Sequence, residues 1–229
     1  MEDYYQNKVK LTVLGIREIG SWRCVRMIEI CSNCGNYEWD KEIIENKLRC
    51  PKCGAEWEFK SLPLLILTGC SGVGKTTTAI EIMRRKVDFV VLDADIFTGF
   101  INWDDEESCN KWVEIIANIS KDIIQSGTLV LWTMAGCLDR FPKVYNSRYF
   151  SEIICLALVT DEDSLRQRMQ EGRGITDENW INSSCDYNRY FMEHTQVGDT
   201  KYELLDISMK SPKEVADDVI NWVHGKVFV

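Results

Sequence analysis

Residues 62–77 read LPLLILTGCSGVGKTT. Residues 64–67 are a continuous apolar run, the pattern of a central parallel strand buried on both faces. Gly69 to Thr76 then fits GxxxxGK followed by Ser or Thr at every fixed position. In the next stretch, TTTAIEIMRRK, Ala79, Ile80, Ile82 and Met83 fall at helical spacing. A strand, a glycine-rich loop and a helix start, in that order, turn backbone N–H groups and the helix dipole toward a bound phosphate. The pattern predicts a nucleotide site made of Gly69, Cys70, Ser71, Gly72, Val73, Gly74, Lys75, Thr76 and Thr77. In such a site the lysine reaches the β- and γ-phosphates of ATP and the first threonine hydroxyl ligates Mg²⁺.

Downstream, apolar runs alternate with helix-like stretches. The runs lie at 89–92, 129–132, 153–159 and 204–207; the helical patterns lie at 106–125, 164–171, 178–193 and 212–223. Thr160 reads as a helix N-cap, and so does Ser211, with Pro212 at the first helical position. Alternation of this kind predicts an α/β fold, a three-layer arrangement with a five-stranded parallel sheet covered by helices on both faces.

Upstream, CSNCG at 31–35 and CPKCG at 50–54 form two CxxCG knuckles with 15 residues between Cys34 and Cys50. Cys31, Cys34, Cys50 and Cys53 supply four thiolates, a tetrahedral set that suits Zn²⁺ and leaves no position for a reacting water. A rubredoxin-like iron site is the chemical runner-up. The runs NYEW and AEWEF after the knuckles read as strands, as do alternating apolar residues within 8–30, so the segment predicts a small β zinc ribbon with a structural metal. The expected organisation is a ribbon-containing module over 1–61 and a nucleotide-binding domain over 62–229. Only 15 residues separate Cys53 from Gly69, and no glycine- or serine-rich linker lies between them. The ribbon is therefore expected to pack against the body, and it is also a candidate homodimer contact.

Charge narrows the partners. The 229 residues carry a formal net charge of −9. Up to Ser61 there are ten basic and ten acidic residues, which leaves 17 basic and 26 acidic out of the totals of 27 and 36. Nucleic-acid binding rests on phosphate neutralisation by a basic face, and this balance argues against it. The polar start MEDYYQNK lacks the apolar core of a secretory signal, and the longest apolar run, 62–67, is too short to cross a bilayer, so a cytoplasmic location is expected.

The segment VVLDADIF at 90–97 sets Asp93 and Asp95 at the carboxyl end of the strand after the loop helix, where α/β folds bind ligands. Here the sequence resembles the small-molecule and nucleotide kinase group of P-loop proteins, including shikimate-kinase-like, gluconate-kinase-like and chloramphenicol-phosphotransferase-like enzymes. The resemblance implies that Asp95 holds or deprotonates the acceptor hydroxyl and that Asp93 orients Mg²⁺-bound water. LRQRMQEGR at 165–173 resembles the arginine-bearing lid of that group, although no proline follows the arginine. By that likeness Arg173 and Arg168 neutralise the transferring phosphoryl group, while Arg166 reads as an exposed helix residue.

Phe97, Phe100 and Trp103 are candidates to line an acceptor pocket and stack on a planar ring, and Gly136 and Arg140 follow the third strand of the domain. The resemblance spans 62–229 and implies an ATP-dependent phosphotransferase acting on a small-molecule acceptor, with nucleosides and nucleotides among the candidates. The alternative is an ATPase or nucleotide-gated regulator that uses the ribbon as a docking module. Against it, the chain has no NKxD motif, and its third central strand ends in LWTMAG, not in an acidic pair.

Overall fold

The computed structural model describes residues 28–38, 40–103 and 105–226. The strands expected within 8–30 thus lie almost wholly outside the described residues. The ribbon consists of β1 (Glu42–Ile44), β2 (Lys47–Arg49) and β3 (Glu56–Glu58), paired antiparallel in that order. The expected strand at NYEW is not formed over Asn36, Tyr37 and Glu38. The Asn36 side chain holds that backbone in a turn, accepting from the Glu38 N–H at 3.1 Å and donating to Asp40. The ladder begins only at Glu42.

The larger sheet is built from β4 (Leu64–Thr68), β5 (Val90–Asp93), β6 (Val130–Thr133), β7 (Ile153–Val159) and β9 (Thr200–Asp206). These five strands run parallel in the order β5-β6-β4-β7-β9. A two-residue strand, β8 (Gln196–Val197), adds an antiparallel edge, so the sheet has six strands where five were expected. Its helices are α1 (Lys75–Met83), α2 (Glu106–Gln125), α3 (Glu162–Gln167), α4 (Glu178–Glu193) and α5 (Pro212–Gly225).

Every residue of β4 is buried, as its unbroken apolar run dictates. Successive side chains point to opposite faces, and two cores result. Leu64 and Ile66 pack with Trp112, Val113 and Ile116 of α2 and with Trp132 of β6. Leu65 and Leu67 pack with Ile82 of α1 and with Val215, Val219 and Val223 of α5. The one polar atom of Trp132 is satisfied inside its core, Nε1 donating to Ser120 Oγ at 2.8 Å.

Helix ends follow the side chains that satisfy their first N–H groups. Ser211 caps α5 in a full capping box with Glu214, with Pro212 at its start. The cap of α3 is Asp161 and not Thr160: the Asp161 carboxylate accepts from the Ser164 N–H at 2.8 Å. Thr160 is held at the end of β7 by Asn188 of α4, which accepts from its N–H at 3.3 Å and donates to its carbonyl at 2.7 Å.

The ribbon is docked on the body. Ile28, Leu48 and Phe59 form a buried cluster with Tyr149, the last residue of the 3-10 segment Tyr145–Tyr149. Arg148 donates to the Lys41 carbonyl at 2.9 Å and lies over the Tyr145 ring at 4.0 Å. Gln125, at the end of α2, pairs both ways with the Lys60 backbone at 2.9 and 3.0 Å. Lys121 of α2 forms an ion pair with Glu29 at 2.5 Å, and both residues are buried. Such a set of contacts fixes the ribbon against α2 and the segment before β7.

Candidate active site

The glycine-rich loop turns sharply between β4 and α1. Gly69 has φ of +136°, and a Cβ there would sit 2.6 Å from the Leu158 carbonyl oxygen. Gly72 has φ of +82°, and a Cβ would meet Met169 Cγ at 2.5 Å. Only glycine satisfies both the backbone conformation and the close approach. Lys75 folds back along the loop, its Nζ donating to the Gly69 and Cys70 carbonyls at 2.9 Å each. Burial lowers the Lys75 ammonium from its usual range, and the charges of Asp95 and Asp93 offset part of that shift. Burial also pushes the Cys70 thiol up to about 11, so it is a neutral loop residue.

At the start of α1 the Thr76 hydroxyl donates to Asp93 Oδ2 at 3.2 Å. The other carboxylate oxygen of Asp93 accepts from the Asp95 N–H at 3.0 Å and caps the 3-10 segment Ala94–Phe100. A hydroxyl and a carboxylate thus meet at the phosphate loop, an all-oxygen donor pair of the kind that Mg²⁺ takes. Asp95 itself is exposed beyond the strand end.

Two arginines reach the loop from α3. The helix widens at its end into a single π-turn, Arg168–Gly172, whose Met169 is fully buried. Met169 sits against Gly72, so the wide turn is seated on the loop. Arg168 donates from Nη1 to the Val73 carbonyl at 3.0 Å, and Arg173 from Nη1 to the Ser71 hydroxyl at 3.2 Å. Arg166 points elsewhere, to Glu162 and Asn182.

Beside Asp95 opens a cleft of about 660 Å³ at the carboxyl ends of β5 and β6. Its walls include Asp95, Thr98, Trp103, Trp112, Cys137 and Tyr187. Trp103 is 50% exposed and meets Trp112 edge to face, with ring centroids 5.0 Å apart. The other two aromatics expected there do not contribute: Phe97 packs on Trp132 in the core, and Phe100 is 86% exposed. Arg140 is held by α2, donating from Nη1 to Asn110 at 2.7 Å and approaching Glu106 at 3.4 Å.

Two solved structures share this fold. A sugar kinase from Janibacter sp. HTCC2649 superposes with a TM-score of 0.53 at 16% identity, over 72% of this chain and 95% of that one. A gluconokinase from Sinorhizobium meliloti 1021 does so with a TM-score of 0.51 at 13% identity, over 72% of this chain and 94% of that one. The chain has the P-loop kinase fold. No protein-family model and no curated protein sequence matches it. At such identities the likeness is one of architecture, and the chemistry is argued from the residues.

Within the P-loop kinase fold, three residues near the site escape sequence reading. Trp112 and Tyr187 lie on α2 and α4 at spacings indistinguishable from core positions, yet both line the cleft. Asn188 looks like a surface polar residue, but it is buried, and besides clamping Thr160 it accepts a long contact from Cys70 Sγ at 3.9 Å. It ties α4 to the phosphate loop.

In the ribbon, the Sγ atoms of Cys31, Cys34, Cys50 and Cys53 all lie within 4.8 Å of one another. Cys31 and Cys53 are 3.6 Å apart and Cys34 and Cys50 3.7 Å apart. Metal–sulfur bonds of about 2.3 Å in a tetrahedron put sulfurs roughly 3.8 Å apart, so the set fits one thiolate-bound ion. The two knuckles share one geometry: the Gly35 and Gly54 N–H groups donate to the Cys31 and Cys50 carbonyls at 2.8 Å each. Asn33 donates to Cys53 Sγ at 3.5 Å and holds that thiol down at about 6. Among the described residues no helix is long and apolar enough to cross a membrane.

Proposed function

We propose that the protein is an ATP-dependent phosphotransferase that moves the γ-phosphoryl group of Mg-ATP to a hydroxyl of a small-molecule acceptor. The observation that carries this reading is convergence on one loop: Lys75, Arg168 and Arg173 all hydrogen-bond to residues of the glycine-rich turn, and Asp95 stands beside it at the mouth of a cleft. Donor cations on one side and a carboxylate beside an acceptor-sized cleft on the other are the parts that phosphoryl transfer requires.

In this reading the loop amides and Lys75 hold the donor phosphates, releasing Lys75 from the two carbonyls it engages. Thr76 and Asp93 would hold a magnesium ion, directly or through its water, which would supply neutralisation of the donor's phosphate charge. Asp95 accepts the proton of the acceptor hydroxyl as its oxygen bonds to the γ-phosphorus. The bond to the bridging oxygen breaks and ADP departs. Arg168 and Arg173, already at the loop, neutralise the equatorial oxygens of the moving group. The ribbon cluster holds a structural Zn²⁺ and takes no part in the chemistry.

The test is ADP release from Mg-ATP with and without a panel of hydroxyl compounds. Strong stimulation by one class, lost in Lys75→Ala and Asp95→Asn, supports the reading. Steady hydrolysis that no compound raises would transfer the assignment to an ATPase or a nucleotide-gated regulator.

A further inference from the structure

The cleft beside Asp95 has a composition that selects its occupant. Its polar side chains are Asp95, Thr98, Cys137 and Tyr187; Trp103 and Trp112 supply the aromatic surface, and Ala135 and Gly136 complete the wall. Burial pushes the Cys137 thiol up to about 11 and raises the Tyr187 phenol above its ordinary range, so both are neutral at physiological pH. Among the described residues that line the cleft there is no lysine, arginine or histidine. Among the described residues of the wall the single formal charge is therefore the Asp95 carboxylate.

The cations in the neighbourhood are held by other groups. Arg140 lies against the Cys137 thiol at the edge of the wall and donates to Asn110 and Glu106 of α2. Arg168 and Arg173 are tied to Val73 and Ser71 on the donor side. A phosphate or carboxylate carried by an acceptor would meet no cationic side chain among the described residues of the wall and would face a like charge at Asp95, which disfavours binding. A flat uncharged ring meets the opposite situation. Trp103 offers its half-exposed indole for stacking, backed edge-on by Trp112, with Tyr187 in the same cleft.

Resting on the phosphotransferase reading, we propose that the acceptor is a nucleoside, and that nucleotides, sugar acids and hydroxy acids are excluded by the charge of the cleft. The base stacks on Trp103, and a sugar hydroxyl is directed at Asp95. The hydroxyl proton goes to the Asp95 carboxylate, the oxygen–phosphorus bond forms, the β–γ bridging bond breaks, and the products are a nucleoside monophosphate and ADP. The product is thereby a ligand that the cleft disfavours, and this assists its release.

The experiment uses the full chain and two readouts. ADP release from Mg-ATP is measured with guanosine, adenosine, cytidine and uridine, each paired with its own 5′-monophosphate, and with shikimate and gluconate as acids. Binding of the same compounds is measured by calorimetry in saturating Mg-ADP, which fills the donor site and removes any need for turnover. At least one nucleoside is expected to stimulate ADP release tenfold or more over its monophosphate and over both acids. Trp103→Ala should raise the KM for that nucleoside tenfold or more and change the KM for ATP less than twofold.

If a monophosphate or an acid is the better acceptor, the nucleoside assignment falls while the phosphotransferase reading stands. If a nucleoside binds in preference to its monophosphate but never stimulates turnover, the cleft assignment stands and the phosphotransferase reading falls. If no nucleoside binds and none stimulates, the nucleoside assignment is overturned, and stimulation by the broader panel then decides the phosphotransferase reading on its own.

Discussion

Arg173 donates from Nη1 to the hydroxyl of Ser71 at 3.2 Å across 102 residues of chain. The bond joins the far end of the π-turn to the middle of the glycine-rich loop, so a cation distant in the chain is already beside that loop, where the proposed donor would sit. Stabilising charge that develops on a transferring phosphoryl group is worth about 10²- to 10³-fold per well-placed donor. Arg173→Ala is expected to lower kcat by at least about 100-fold while ATP affinity changes by less than about threefold. Steady-state kinetics paired with nucleotide calorimetry checks this. An equal loss in ATP affinity would make Arg173 a ground-state binding residue.

The contact between Gly72 and Met169 gives a second, steric prediction. A methyl group at Gly72 would need the positive φ that L residues avoid and would collide with Met169 Cγ. Gly72→Ala should displace the π-turn and with it both Arg168 and Arg173, abolishing turnover while leaving the sheet folded. Met169→Ala removes the obstacle, although it also opens a cavity in the buried cluster. If Gly72→Ala alone keeps more than about a third of wild-type kcat, the seating of the turn on the loop is not needed for activity.

How much of this was legible follows from how local each signal is. The order of β4, the loop and α1 is written in consecutive residues, and so are the two knuckles and the cap of α5. Asp93 and Asp95 were placed by their position at a strand end. Asn188, Trp112 and Tyr187 were not, because a helix presents polar and aromatic residues at the same spacing whether they meet a core or a cleft. The π-turn has no sequence signature of its own, and the docking of Tyr149 under the ribbon joins segments too distant for any periodicity to relate. The strand expected at NYEW is not formed for a nearer reason: the Asn36 side chain offers hydrogen bonds that compete with a ladder.

Lys75 supplies a pH dependence with a definite sign. Burial depresses its ammonium below the unfolded value. Below its folded pKa the native state carries a charge that burial disfavours; as pH rises through the folded pKa toward the unfolded one, the unfolded chain binds more protons than the native one and stability rises. In the absence of nucleotide, Lys75→Met should therefore be at least as thermally stable as the wild type at neutral pH. Its advantage should shrink as pH is raised toward the ordinary lysine range, in scans of Tm against pH. A difference that widens with pH would mean that the two carbonyl contacts outweigh burial.

The cysteine cluster predicts a stabilising metal. The protein purified without chelator should contain about one zinc ion per chain, and the paired substitution Cys50→Ser with Cys53→Ser should lose it. The Tm should fall, since the ribbon's own core is small, while turnover measured well below the transition stays within about twofold of wild type. Metal analysis, calorimetric scanning and kinetics on the same preparation separate the two roles. Loss of activity with an unchanged Tm would assign the metal to the chemistry.

The ion pair between Lys121 and Glu29 predicts how the ribbon is held. Both side chains are nearly inaccessible, at 4% and 10%, so removing Lys121 takes away the cation that Glu29 meets, and removing Glu29 leaves Lys121 only the longer contact to Asp122 at 4.0 Å. Lys121→Met or Glu29→Gln alone should destabilise by about 3–5 kcal/mol in urea denaturation, the range for breaking a buried pair. The double variant removes both charges and should recover most of that loss, because desolvation of the pair is also removed. The coupling between the two sites is the decisive quantity. Additive losses would show that the pair does not act as a unit, and the ribbon would then rest on the Tyr149 cluster and the Arg148 and Gln125 contacts.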